Sequence, residues 1–270
     1  MRKVIITVAP TGNVPTKEDN PYVPVTPDEI AEDIYNCYQA GAAVAHIHAR
    51  DENGKPTADP KVFEEIIRKV KQKCDIIIQL STGARAGKGK ERGACIELKP
   101  EMASLATGSS NFPTAVNENP PELIEYLGKK MLENGVKPEI EAFDVAMITN
   151  VDYYIKKGVI KPPLHFNLVM NVPGSISGTP KNLLHMVELL PPGSTFTVTA
   201  VGKSHVDLIA MSIILGGHVR VGLEDVLLYS YEPKVLATNE MLVKRAVQII
   251  RDLGHEVATP KEARKILNLA

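Results

Sequence analysis

The chain has 270 residues, 44% of them hydrophobic and 23% charged, with a formal net charge of −1. That length can bury a large core in a single domain, and the near-neutral balance offers no long-range field to attract nucleic acid or an anionic membrane. The three cysteines, Cys37, Cys74 and Cys95, form no Cys-x-x-Cys pair, which argues against a disulfide framework or zinc knuckle and for a reducing cytoplasm. Trp is absent, so platforms for stacking bases or sugars are not expected.

An apolar, β-branched run at residues 4–8 stops at Pro10-Thr11-Gly12 and is too short for a signal peptide or a membrane span. Thr26-Pro27-Asp28-Glu29 then opens a helical pattern that closes near Gly41, with Thr26 as N-cap and Pro27 at the first helical position. The same order repeats along the chain. Residues 44–49 read as a strand, and Asp59-Pro60 caps a helix to about Lys73. A strand at 76–80 ends in Ser81-Thr82-Gly83. The third helix is weak, because the stretch after Ala84 is rich in Gly, Lys and Arg; residues 85–91 are expected to form a mobile active-site loop. Further strands are expected at 102–106, 138–144, 164–170, 195–200 and 218–222. Their helices run over 121–134, up to Lys157, from Pro180, over 204–215 and over 239–253, with a last short helix after Thr259-Pro260. Eight strand-helix alternations with near-continuous apolar strands and no Gly-x-Gly-x-x-Gly predict an α/β fold, a single-domain (β/α)8 TIM barrel; a doubly wound open sheet is the alternative.

In a barrel the loops after the strands share one mouth, so chemistry should recur there. His46 and His48 lie two apart on the second strand and face the same way. Two imidazoles on a rigid strand can hold a divalent metal, but need further ligands. Glu224, at the end of strand eight, is the best third ligand, and two histidines with one carboxylate leave coordination open, as a catalytic metal requires. On the same strand Arg220 points inward and needs carboxylates, with Asp225 and Glu141 available. An arginine against Asp225 is expected to lower its pKa. Glu139 shares a face with Glu141 and is assigned to the barrel floor. Ser81-Thr82-Gly83 and Thr107-Gly108-Ser109 follow strands three and four, where hydroxyls and exposed N–H groups can cradle a carboxylate. Gly202-Lys203-Ser204 sits where barrels often grip phosphate. His165, His185, His205 and His255 read as structural or solvated.

The motifs ITVAPTG, PVTPDEIA, GAAVAHIHARDENGKPT, STG, PEMASLATGSSNF, KPEIEAFD, GGHVRVGLED and ATPKEAR together resemble the β-keto acid cleavage enzyme family. The resemblance runs from residue 4 to about 267. It implies a zinc-dependent (β/α)8 barrel, usually a homotetramer, that converts a β-keto acid and acetyl-CoA into acetoacetate and a new acyl-CoA. It also implies roles: His46, His48 and Glu224 as zinc ligands, Arg220 and Asp225 as the paired base, and Glu141 as a polar partner of the substrate. Ser81 and Thr107 look like contacts to the keto acid carboxylate, with Thr82 or Ser109 as alternatives. One departure bears on the substrate. Members acting on an amino-bearing keto acid are expected to carry an acid in the loop after strand one, where this chain has Val14. An uncharged, apolar distal group is therefore expected. A metal-dependent aldolase or lyase without CoA, and a non-catalytic metabolite-binding subunit, are the other readings.

Overall fold

Proline-led helix starts alternate with short apolar strands along the sequence, and in the computed structural model, which describes residues 1–269, they resolve into a closed parallel barrel. Its strands follow chain order: β1 (Ile6–Val8), β2 (Val44–Ile47), β3 (Ile77–Leu80), β4 (Met102–Ala106), β5 (Lys137–Ala142), β6 (His165–Met170), β7 (Thr195–Ala200) and β8 (His218–Val221). Pairing of Val219 with Ile6 and Arg220 with Thr7 closes the ring. The surrounding helices are α1 (Pro27–Ala40), α2 (Pro60–Lys71), α3 (Pro121–Glu133), α4 (Val145–Thr149), α5 (Val151–Lys156), α6 (Pro180–Glu188), α7 (His205–Ile214), α8 (Asn239–Asp252) and α9 (Pro260–Leu267). Thr26 and Thr259 accept from the backbone N–H of Glu29 and Glu262, whose carboxylates accept in return, so α1 and α9 start in reciprocal capping boxes. No helix among the described residues is long and apolar enough to cross a membrane.

Three elements differ from expectation. The third crossover is a 3-10 segment, Gly89–Leu98, rather than an α-helix. Its sequence has no apolar stripe, and Arg92 is buried instead, donating to the Thr82 carbonyl at 2.6 Å and to Asn119 Oδ1 at 2.7 Å. The fifth crossover is interrupted at Asn150, whose amide donates to the Thr107 carbonyl at 2.7 Å. The second strand stops at Ile47; Ala49–Arg50 then pairs antiparallel with Pro56–Thr57.

The alternation of side chains decides where the apolar core lies. Residues of one parity, such as Ile6, Ala45, Ile78, Leu105, Leu168, Val198 and Val221, pack outward against the helices in two large clusters. The opposite parity is apolar at the bottom, where Ile5, Val44, Ile77 and Met102 meet Ala263 and Leu267 of α9. Above that floor every strand contributes a buried polar side chain: Thr7, His46, Gln79, Ser104, Glu139, Asn167, Thr197 and Arg220. Barrel interiors are ordinarily filled by Val, Ile and Leu. A polar filling must be hydrogen-bonded throughout or put to use.

Candidate active site

His46, the penultimate residue of β2, and His48, just beyond the strand, keep strand parity and converge, with Nε2–Nε2 at 3.2 Å. Glu224 enters from the turn after β8, its Oε1 3.2 Å from His48 Nε2 and its Oε2 4.0 Å from His46 Nε2. One ligand atom from each of the three lies within 4.8 Å of the others. Tetrahedral ligands about 2.0–2.1 Å from zinc stand about 3.3 Å apart, so the spacing suits such an ion. Glu224 Oε2 is buried with no hydrogen-bond partner, as a coordinating oxygen would be before its ion arrives. Burial, aided by the charge of Arg220, pushes His46 down to about 3 and keeps its imidazole neutral, the form that binds metal. Gly12, at φ +64°, lets the loop after β1 pass over this cluster; a Cβ there would stand 2.5 Å from Glu224 Cγ. Arg50 pins that loop by donating from Nε to the Gly12 carbonyl at 3.0 Å and from Nη2 to the Pro15 carbonyl at 2.9 Å.

Arg220 joins the metal cluster to the acids beside it. Its Nε and Nη2 donate to Asp225 Oδ2 and Oδ1 at 2.9 and 3.1 Å, and Nη2 also meets Glu224 Oε1 at 2.7 Å. Glu141 Oε1 lies 3.7 Å from Nη1, which has no hydrogen-bond partner of its own. Burial pulls the pKa of Glu224 upward, but Arg220 and the two imidazoles outweigh it and hold the carboxyl well below its ordinary value. Asp225 goes the other way. Burial pushes it up to about 6, with Arg220 opposing and Glu224 adding to the rise, so the expected lowering by arginine is overturned by desolvation. Burial likewise raises Glu141 to about 8, which leaves it a neutral hydrogen-bond donor at neutral pH. Glu139 lies in the polar layer above the floor rather than on the floor itself, with Oε1 3.3 Å from His165 Nε2; that histidine is the acid's partner rather than an unattached structural group.

His48, Glu141, Arg220, Glu224 and Asp225 line a cavity of about 440 Å³ that also takes in Ser81, Gly83 and Val14. Its upper wall is mostly apolar, with Pro15, Phe112, Val116, Phe143, Val172 and Leu227, beside the polar Arg85, Thr114 and Asn117. Thr82, Thr107 and Ser109 do not line it. The Thr82 hydroxyl donates to the Ser104 carbonyl at 2.7 Å and that of Thr107 to the Met147 carbonyl at 2.6 Å, while Ser109 Oγ accepts from Asn119 N–H. Thr107-Gly108-Ser109 instead borders a separate depression beside α4, so of the two hydroxyl-glycine turns only the first opens into the cavity. Lys203 lies over the ring of Tyr231, outside the cavity lining. Arg85, the first residue of the expected active-site loop, lines the cavity, as does Asn13, whose only signal in the sequence was its place beside Val14. Gln79, which meets His46 Nδ1 at 2.6 Å, was also missed, though an amide in the apolar run 76–80 was a usable signal.

Comparison with known proteins agrees with this geometry. Residues 3–269 match the model of the β-keto acid cleavage enzyme family. The chain is 44% identical over 272 residues to a 3-keto-5-aminohexanoate cleavage enzyme of Fusobacterium nucleatum, covering 100% of this chain and 99% of that protein. It is 38% identical to a 3-oxoadipate:acetyl-CoA acetyltransferase of Cupriavidus necator, covering 98% and 94%. Among solved structures, apo ObcA superposes with a TM-score of 0.80 at 22% identity, over 92% of this chain and 66% of that one, which supports the barrel fold. A whole-length family match, a near-half identical relative and a barrel mouth carrying this cluster lead to one conclusion: the chain is an enzyme of the β-keto acid cleavage family.

Proposed function

We propose that the enzyme joins a β-keto acid to acetyl-CoA and releases acetoacetate and a new acyl-CoA, using zinc held by His46, His48 and Glu224. The observation that carries this reading is the placement of Asp225, fixed by Arg220, next to that three-ligand cluster in one cavity at the barrel mouth. Zinc bound there would supply Lewis acidity toward the keto oxygen and so acidify the C2 protons. Asp225, raised by burial, is a stronger base than an ordinary carboxylate and takes one C2 proton. The C2 carbanion joins the acetyl carbon and expels CoA thiolate. The thiolate adds to the former keto carbon, the old C2–C3 bond breaks, and Asp225 returns its proton to C2 of acetoacetate. Neutral Glu141 donates a hydrogen bond beside the reacting centre, and Ser81 with Gly83 receives the carboxylate end.

Val14 and the apolar upper wall favour a keto acid with an uncharged, apolar distal group, as 3-oxohexanoate has. Substrate type is thus read separately from the names of the relatives. The 3-keto-5-aminohexanoate relative acts on an ammonium-bearing acid and the 3-oxoadipate relative on a second carboxylate. Cytoplasmic location and a homotetramer belong to the same reading. The test is a screen of β-keto acids with acetyl-CoA, following acetoacetate in zinc-loaded and chelated protein. Acetoacetate release that needs both acetyl-CoA and metal, and is strongest with apolar acids, supports it. Turnover without acetyl-CoA, or a strong preference for 3-keto-5-aminohexanoate, refutes the co-substrate or the distal-group assignment respectively.

A further inference from the structure

Gln79 is fully buried on β3, directly opposite His46 on β2. Its Oε1 lies 2.6 Å from His46 Nδ1. An amide oxygen can only accept, so Nδ1 carries the proton, and a neutral imidazole protonated at Nδ1 must present its lone pair at Nε2. That nitrogen is the one that faces His48 and Glu224. His48 has no such support, because its Nδ1 is buried with no hydrogen-bond partner. One of the two imidazoles is therefore set by its neighbour across the sheet and the other is not.

The cost of this arrangement argues against simple space filling. Gln79 Nε2 is buried with no hydrogen-bond partner, and leaving such a group unpaired is destabilising. A leucine at this inward position would incur no such penalty and would match the usual filling of a barrel. What the amide supplies that leucine cannot is the single acceptor at His46 Nδ1.

We propose that Gln79 is a positioning residue for the metal centre: it fixes the tautomer and ring orientation of His46 so that Nε2 is offered to the ion. This rests on the metal reading above. The test measures zinc affinity of the full-length protein by competition with a chromophoric chelator, together with the thermal midpoint of each metal-free variant. Gln79→Leu should weaken zinc binding by about 10–100-fold, the usual effect of removing a partner behind a ligating histidine, while the metal-free midpoint stays level or rises. Gln79→Glu keeps the acceptor and nearly the same shape, and should bind within about threefold of wild type or more tightly. Gln79→Asn falls a methylene short of His46 and should weaken binding as leucine does. Leucine or asparagine variants that fold and bind zinc like wild type would overturn the inference, as would a glutamate variant weakened about tenfold or more. Should leucine fail to fold, the asparagine and glutamate pair decides. Wild-type protein that takes up no zinc removes the metal reading itself, an outcome distinct from equal binding by wild type and variants.

Discussion

Arg220 grips Asp225 at two points, Nε to Oδ2 at 2.9 Å and Nη2 to Oδ1 at 3.1 Å, so the proposed base is placed by a side chain rooted in a barrel strand rather than by its own turn. The same Nη2 reaches Glu224 at 2.7 Å. One planar guanidinium thereby sets the distance between base and metal ligand, which a lysine's single ammonium cannot do. Arg220→Lys is expected to keep the charge, retain bound zinc and lose about 100-fold in kcat, roughly 2.7 kcal/mol of transition-state stabilisation. Full activity in the lysine variant would show that charge, and not the fork, is what the site requires.

Asp225→Asn separates the base from the metal. The amide still accepts from Arg220 but cannot take a proton, so kcat should fall about 10²–10⁴-fold, the usual range for a lost general base. Zinc content, measured by atomic absorption, should be unchanged, because Asp225 contributes no atom to the three-ligand cluster. An active Asn variant would assign the proton transfer to another group.

The parts of the site that follow strand parity were legible in sequence, and the parts that depend on how loops pack were not. His46, His48 and Arg220 sit on or directly beyond strands, where a period of two settles which way a side chain points. Eight alternations similarly implied the barrel, because each β-α unit is specified locally by apolar runs and caps. The two hydroxyl-glycine turns look alike in sequence, yet Ser81 opens into the cavity and Thr107 turns to Met147, a choice made by the packing of α4. Arg50 and Arg92 were unreadable for the same reason: each binds backbone carbonyls of segments distant in sequence. The opposed pKa shifts of Glu224 and Asp225 depend on burial, which adjacency in sequence does not report.

Gly12→Ala tests how closely the first loop must approach the metal. The new methyl would stand 2.5 Å from Glu224 Cγ, and φ of +64° is itself unfavourable for alanine by about 1–2 kcal/mol. Since Arg50 holds the loop at the Gly12 and Pro15 carbonyls, the loop cannot simply lift away, and Glu224 must move. The variant should bind zinc at least about tenfold more weakly and be correspondingly less active. Unchanged zinc affinity, read by chelator competition, would show that the loop yields instead.

Val14 projects from the same loop, 61% exposed, into the cavity mouth. A carboxylate there would face a mostly apolar wall and attract a cationic distal group. Val14→Glu should shift the ratio of kcat/KM for 3-keto-5-aminohexanoate over 3-oxohexanoate upward by about two- to fivefold, the roughly 0.4–1 kcal/mol that one exposed ion pair supplies. An unchanged ratio would place the distal group elsewhere in the cavity, nearer Phe112 or Val172.

Asp33 on α1 should make stability depend on pH away from the active site. Its Oδ2 accepts from Asn239 Nδ2 at 2.6 Å, and that side chain also donates to the Pro10 carbonyl and accepts from Leu223 N–H, tying the ends of β1 and β8 to the helices. Burial pushes Asp33 from 3.8 up to about 7, against the pull of the Asn239 hydrogen bond and with the help of Glu240. The folded value lies above the unfolded one, so the native state holds the proton more tightly. The stabilisation is complete below about pH 4, is lost as pH rises toward 7, and changes no further above that. The slope cannot exceed about 1.4 kcal/mol per pH unit for one group. Asp33→Asn carries no titrating proton, so its stability relative to wild type, measured by urea denaturation, should improve steadily from pH 4.5 to 7 and then level off. A difference that stays constant across that range would mean that Asp33 is ionised in the folded protein and that its bond to Asn239 outweighs its burial.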